Sequence, residues 1–187
     1  MTSAGSVHVA LLRGINVGPA KRVAMADLRA AVAGCGYGDV RTLLNSGNVV
    51  FTAPGPLPAD VAGALEAAVR ERTGVQATVT VLTAAEVALA VEQDPLRAGV
   101  TDLGRLLHAV PADAGARADL AGLGTQTWGE DRFALGERVG YLWFAEGVLA
   151  SPLAKALARR LGDRVTSRNA ATMDRLLALV RASPGSP

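Results

Sequence analysis

Cysteine is nearly absent. Cys35 stands alone, which excludes an internal disulfide and a multi-cysteine zinc site and fits a reducing compartment. Histidine is as scarce: His8 and His108 each fall inside an apolar, strand-like stretch, and no His, Cys and carboxylate side chains cluster at ligand spacing. Metal and nucleophilic catalysis therefore find no motif, and the two histidines read as core or sheet-face residues. Lysine is limited to Lys21 and Lys155, so the formal charge of +2 rests on scattered arginine, without the basic cluster or tail of a nucleic-acid footprint. Long hydrophobic runs are missing too. Although 50% of residues are hydrophobic, no stretch of about 18 apolar residues occurs, which excludes a membrane-spanning helix. Residues 1–6 carry no basic side chain and Arg13 cuts the apolar run at 7–12, so no export signal is read and a cytoplasmic protein is expected.

What is present is a regular alternation of strand and helix signals. Residues 7–12 form a continuous aliphatic run, the mark of a strand buried on both faces, and a Gly-bearing segment from Arg13 to Pro19 follows it. Met25, Leu28 and Val32 fall at helical spacing before Gly34 and Gly36. Residues 40–44 and 49–51 flank Asn45-Ser46-Gly47-Asn48, a hairpin turn with a glycine for positive φ. Val61, Leu65, Ala68 and Arg72 mark a helix ending at Gly74, and Val75, Ala77, Val79 and Val81 alternate with polar residues as in an edge strand with one wet face. This order is βαββαβ, the split arrangement of ferredoxin-like folds.

The second half repeats the order. Thr83 and Glu86 form a capping box for a linking helix that stops before Asp94-Pro95. A strand is expected at residues 105–110, a helix at 113–121, a hairpin of 126–135 with 139–144, and a helix capped by Ser151-Pro152 with Leu153, Leu157 and Leu161 on its buried face. A short strand at 164–166 precedes a last helix capped by Asn169, on which Met173, Leu176, Leu177 and Val180 share a face. The fold class expected is α+β, two consecutive ferredoxin-like βαββαβ halves with a linking helix and a C-terminal helix. Subdomains are placed at residues 1–82 and 83–182, with a disordered tail at 183–187.

In a βαββαβ unit the first two strands run parallel, so the loop after the first strand and the hairpin emerge at one end of the sheet. Arg13, Gly14, Asn16, Gly18 and Lys21, with Arg22, are thereby expected to converge with Ser46 and Asn48 just before a helix, where free N–H groups and the dipole favour an anion. The spacing of Gly14 and Gly18 matches neither a Walker A loop nor a dinucleotide fingerprint. The same residues would also serve simply to shape the loop and the turn. Arg168 and Asn169 are expected at one end of the second sheet, with helix capping as the alternative for Asn169.

The run Leu11-Leu12-Arg13-Gly14-Ile15-Asn16-Val17-Gly18, then Met25 and Leu28, Val40-Arg41-Thr42 and Ser46-Gly47-Asn48-Val49-Val50-Phe51 resembles the bacterial family known as domain of unknown function 1697. The resemblance continues through Ser151, Leu153 and Thr166-Ser167-Arg168-Asn169 with Thr172 and Leu176. It implies an α+β fold of two subdomains and brings no activity, cofactor or catalytic residue. Pro19, Pro152 and Ala170 depart from the family's usual second glycine, lysine and aromatic residue. Three functions stay open: binding of an anionic or phosphorylated small molecule held by Arg13, Lys21 and Arg168, with Asn16, Ser46, Asn48 and Asn169 orienting it; an RNA- or DNA-binding module, weakened by Phe51 being the lone aromatic on the first unit's central strands; and a protein-interaction or homo-oligomeric assembly role.

Overall fold

The computed structural model describes residues 5–184 and is α+β. Strand β1 (Ser6–Arg13) leads to α1 (Met25–Gly34), the hairpin strands β2 (Gly38–Leu43) and β3 (Asn48–Ala53), helix α2 (Val61–Thr73) and β4 (Thr78–Thr83). Helix α3 (Ala84–Glu92) follows. The succession then recurs as β5 (Leu106–Pro111), α4 (Ala114–Ala121), β6 (Arg132–Leu135), β7 (Gly140–Trp143), α5 (Pro152–Leu161) and β8 (Val165–Asn169), before α6 (Ala170–Arg181). The antiparallel sheets have the orders β2-β3-β1-β4 and β6-β7-β5-β8, so each half places its first and third strands centrally. Among the described residues no helix is long and apolar enough to cross a membrane.

Two compact units result. One runs to Val87 and takes in the chain from Arg175 onward; the other is Ala88–Asp174. The chain passes between them inside α3 and again inside α6, whereas the boundary read from sequence falls at the end of β4.

In the first unit, Ala10, Leu12, Val49, Phe51 and Val79 face α1 and α2, where Leu28, Val32, Leu65 and Val69 meet them. Each aliphatic side chain buried this way contributes about 2 kcal/mol before entropy is counted. The opposite face of the sheet is dry as well: Val9, Leu11, Val50, Thr80 and Leu82 are all buried. This corrects two expectations. The face of β4 expected to be wet carries buried Thr80 and Leu82, while Val81 on the other face is half-buried. On α2 the buried stripe is Val61, Leu65 and Val69, whereas Ala68 is half-buried and Arg72 exposed.

In the second unit, Ala109 and Leu142 pack with Leu120 of α4 and Leu153, Leu157 and Leu161 of α5. Ser151 and Asn169 cap as the sequence specifies, accepting from the Ala154 N–H at 2.8 Å and the Thr172 N–H at 2.9 Å, and Asp113, expected as the first residue of its helix, is the cap of α4 and accepts from the Ala116 N–H. Strand β6 is shorter than expected, because Gly129, at φ 68°, turns the chain and Trp128 donates its indole N–H to the Leu123 carbonyl. Strand β8 is longer, since its polar residues complete a ladder with β5 from Pro111↔Val165 to Leu107↔Asn169. Ser183, placed in the tail from sequence, is buried with its hydroxyl on the Leu179 carbonyl; residues 185–187 of that expected tail lie outside the described residues.

Candidate functional site

The expected convergence of the first loop and the hairpin is present. The Leu12 N–H donates to the Gly47 carbonyl at 2.7 Å, and Asn16 donates from Nδ2 to the Asn45 carbonyl at 2.7 Å. Gly47 is needed there for two reasons: its φ is 78°, and a Cβ would lie 2.8 Å from the Leu12 Cβ and 2.9 Å from the Leu12 oxygen. The turn can lie against the end of β1 only without a side chain.

Asn16 is the staple of the loop. Its Oδ1 accepts from the Val23 N–H at 2.9 Å while Nδ2 also donates to the Val23 carbonyl at 3.2 Å, and its φ of 54° is one that asparagine tolerates. Asn48 is fully buried and donates to the Leu43 carbonyl and to Ser46 Oγ. Asn16 and Asn48 thus spend hydrogen-bonding capacity on the fold, as Asn169 does in capping α6. Arg168 lies on β8 opposite His108 and donates to Thr166 Oγ1 and the Ser167 carbonyl. Arg168 and Asn169 belong to the second unit, the remaining candidates to the first.

Beside the staple lies a hollow of about 680 Å³, lined by Asn16, Asn45, Gly18 and Arg22 and by the apolar Pro19, Val23 and Met25. Gly14 and Gly18 shape its approach at φ 86° and 80°. Arg13, Lys21, Arg22 and Ser46 are exposed. Lys21 and Arg22 have no ion-pair partner among the described residues. Helix α1 opens at Met25 with Ala24 at its cap position and no side-chain cap bond, leaving its first N–H groups at the hollow's edge. The apolar lining carries no chemical signature that sequence could have singled out.

Elsewhere the titratable side chains serve packing. His8 donates to or accepts from Ser6 Oγ at 2.8 Å and stacks on Phe51; burial holds its imidazole below the ordinary value, with Glu86 pulling the other way. Cys35 gives its thiol to the Ala31 carbonyl, and burial raises its pKa, the opposite of what a reactive thiol needs. One cluster escaped the sequence reading: His108 and Asp94, both fully buried, meet at 2.9 Å, with Tyr141 edge-on to the imidazole at 5.0 Å. Burial, reinforced by the Asp94 charge, pushes the Tyr141 phenol up to about 12. The sequence presents Asp94 only as a helix stop, because nothing local announces its partner 14 residues on. Among the described residues no group of His, Cys, Asp and Glu could hold a metal ion.

Comparison with curated proteins finds no match. A solved structure of a conserved bacterial protein, SP0830 from Streptococcus pneumoniae, is similar over 95% of this chain and 99% of that one, with a TM-score of 0.78 at 23% sequence identity. That likeness carries the fold alone. The model of a protein family of unknown function, DUF1697, matches residues 6–141, and this chain belongs to that family.

Proposed function

We propose that the hollow beside Asn16 binds an anionic or phosphorylated small molecule. The observation that carries this reading is the pair of exposed cations, Lys21 and Arg22, without ion-pair partners among the described residues, at the uncapped start of α1. Cations at a helix N-terminus are disfavoured by about 0.3–1 kcal/mol, and a bound anion reverses that sign. Arg22 lines the hollow and is the principal contact; Lys21 and Arg13 add charge, and the main chain at Gly14 and Gly18 offers close approach. Arg168 and Asn169 would supply the contacts that the second unit offers. Asn16, Ser46 and Asn48 shape the site more than they touch the ligand. A cytoplasmic setting accords with the lone, half-buried Cys35.

The nucleic-acid alternative has less support, because β1 and β3 are buried on both faces and leave no open surface on which bases could stack. A thermal-shift screen of inorganic phosphate, nucleotides and phosphorylated metabolites tests the proposal. A ligand at about 100 times its Kd adds about 2.7 kcal/mol of stability, a rise of several degrees in Tm. The rise should vanish in Arg22→Ala; no response to any phosphate compound would end the reading.

A further inference from the structure

We propose that the ligand of this rim carries an apolar portion next to its anionic group, placing it in the class of short-chain alkyl, acyl or aryl phosphates; the inference rests on the anion-binding reading above. Two aliphatic side chains stand on the solvent side of the rim, Val17 at 62% exposure and Leu44 at 46%. They flank the hydrogen bond from Asn16 to Asn45, each one residue from a partner in that bond, and both partners line the hollow. Leu44 is also held at φ 57°. The other described non-glycine residues with positive φ are Asn16 and Asp39, types that accept that conformation, whereas leucine gains nothing from it. A leucine left 46% exposed in a left-handed backbone conformation brings the fold little burial to offset that strain.

Charge and lining agree. The loop at residues 13–26 and the turn at 44–48 contain Arg13, Lys21 and Arg22 and no aspartate or glutamate, while Arg41 of β2 is paired with Asp39. Within the hollow, Arg22 sits with Pro19, Val23 and Met25. A bare phosphate would use the cation and ignore the apolar lining; an apolar ligand would do the reverse. A molecule with both ends uses each.

The test is isothermal titration of the full chain with inorganic phosphate and with ethyl, butyl and hexyl phosphate. Affinity should rise roughly two- to fourfold per added methylene. The double variant Val17→Ser, Leu44→Asn keeps a residue suited to the left-handed backbone at position 44, and it should cut the hexyl-to-inorganic-phosphate affinity ratio about tenfold. Equal affinity for all four compounds would overturn the apolar portion and leave the anion site standing, while no binding of any of them would remove both. An unchanged ratio in the double variant would overturn the placement of the tail. Sedimentation with phosphatidic acid vesicles, without binding of free hexyl phosphate, would also overturn the proposal by assigning the rim to a lipid surface.

Discussion

A single side chain decides whether the rim exists. The Asn16 side chain makes three hydrogen bonds, two to the backbone of Val23 and one to the Asn45 carbonyl, from a left-handed backbone position. Replacing it with alanine leaves the N–H of buried Val23 without its side-chain acceptor and removes the polar group that lets asparagine accept a positive φ. Asn16→Ala should therefore lose about 3 kcal/mol of stability, measurable as a lower midpoint with unchanged slope in urea. A loss under 1 kcal/mol would show that solvent replaces the bonds and that Asn16 is available to a ligand after all. The sequence made Asn16 visible as a polar residue between glycines but could not tell a staple from a ligand contact. That distinction depends on Val23 and Asn45, and the second lies 29 residues away.

Elements were far more legible than partners, because a helix announces itself through local chemistry. The Thr83–Glu86 capping box is present in full: the Glu86 N–H donates to Thr83 Oγ1 at 3.1 Å and the Thr83 N–H to the Glu86 carboxylate at 2.7 Å. Ser151 caps α5 as expected, yet structure adds what sequence could not show. Its hydroxyl donates at 2.6 Å to Asp131, which also accepts from the Ala145 N–H, so the cap is tied to the segments on either side of the β6–β7 hairpin. Ser151 is buried, and Ser151→Ala removes a cap and a charge-assisted bond together. The expected cost is about 2 to 3 kcal/mol, above the ~1 kcal/mol usual for a surface cap. Asp131→Asn, which keeps an acceptor, should cost less, and equal losses in the two variants would contradict this account. Strand faces failed where they depended on distant cover: alternation along β4 pointed to a wet side, but Thr80 and Leu82 are buried by parts of the chain that no local pattern reveals.

At the scale of the whole molecule, the chain passes between the two units twice, inside α3 and inside α6. The crossing through α3 ends at Asp94, whose carboxylate takes the Leu96 N–H and meets His108 Nε2, while Arg97 forms a bidentate pair with Asp174 near the point where α6 leaves the unit. His108 Nδ1 is buried and has no hydrogen-bond partner among the described residues, so Asp94 is the ring's one polar contact there. Asp94→Ala strands the imidazole in a dry site and should cost about 3 to 5 kcal/mol. Asp94→Asn can keep the Leu96 N–H on Oδ1 and donate from Nδ2 to His108 Nε2 only with the ring proton on the partnerless Nδ1, so its loss should be smaller than that of alanine. Trp128 and Trp143 both report on the second unit, whereas far-ultraviolet circular dichroism reports on all helices and strands. Because α3 and α6 each belong to both units, fluorescence and dichroism should fall together in Asp94→Ala, at one lowered midpoint. A fluorescence transition that moves down while part of the dichroism signal keeps its original midpoint would mean that the first unit stands without its neighbour.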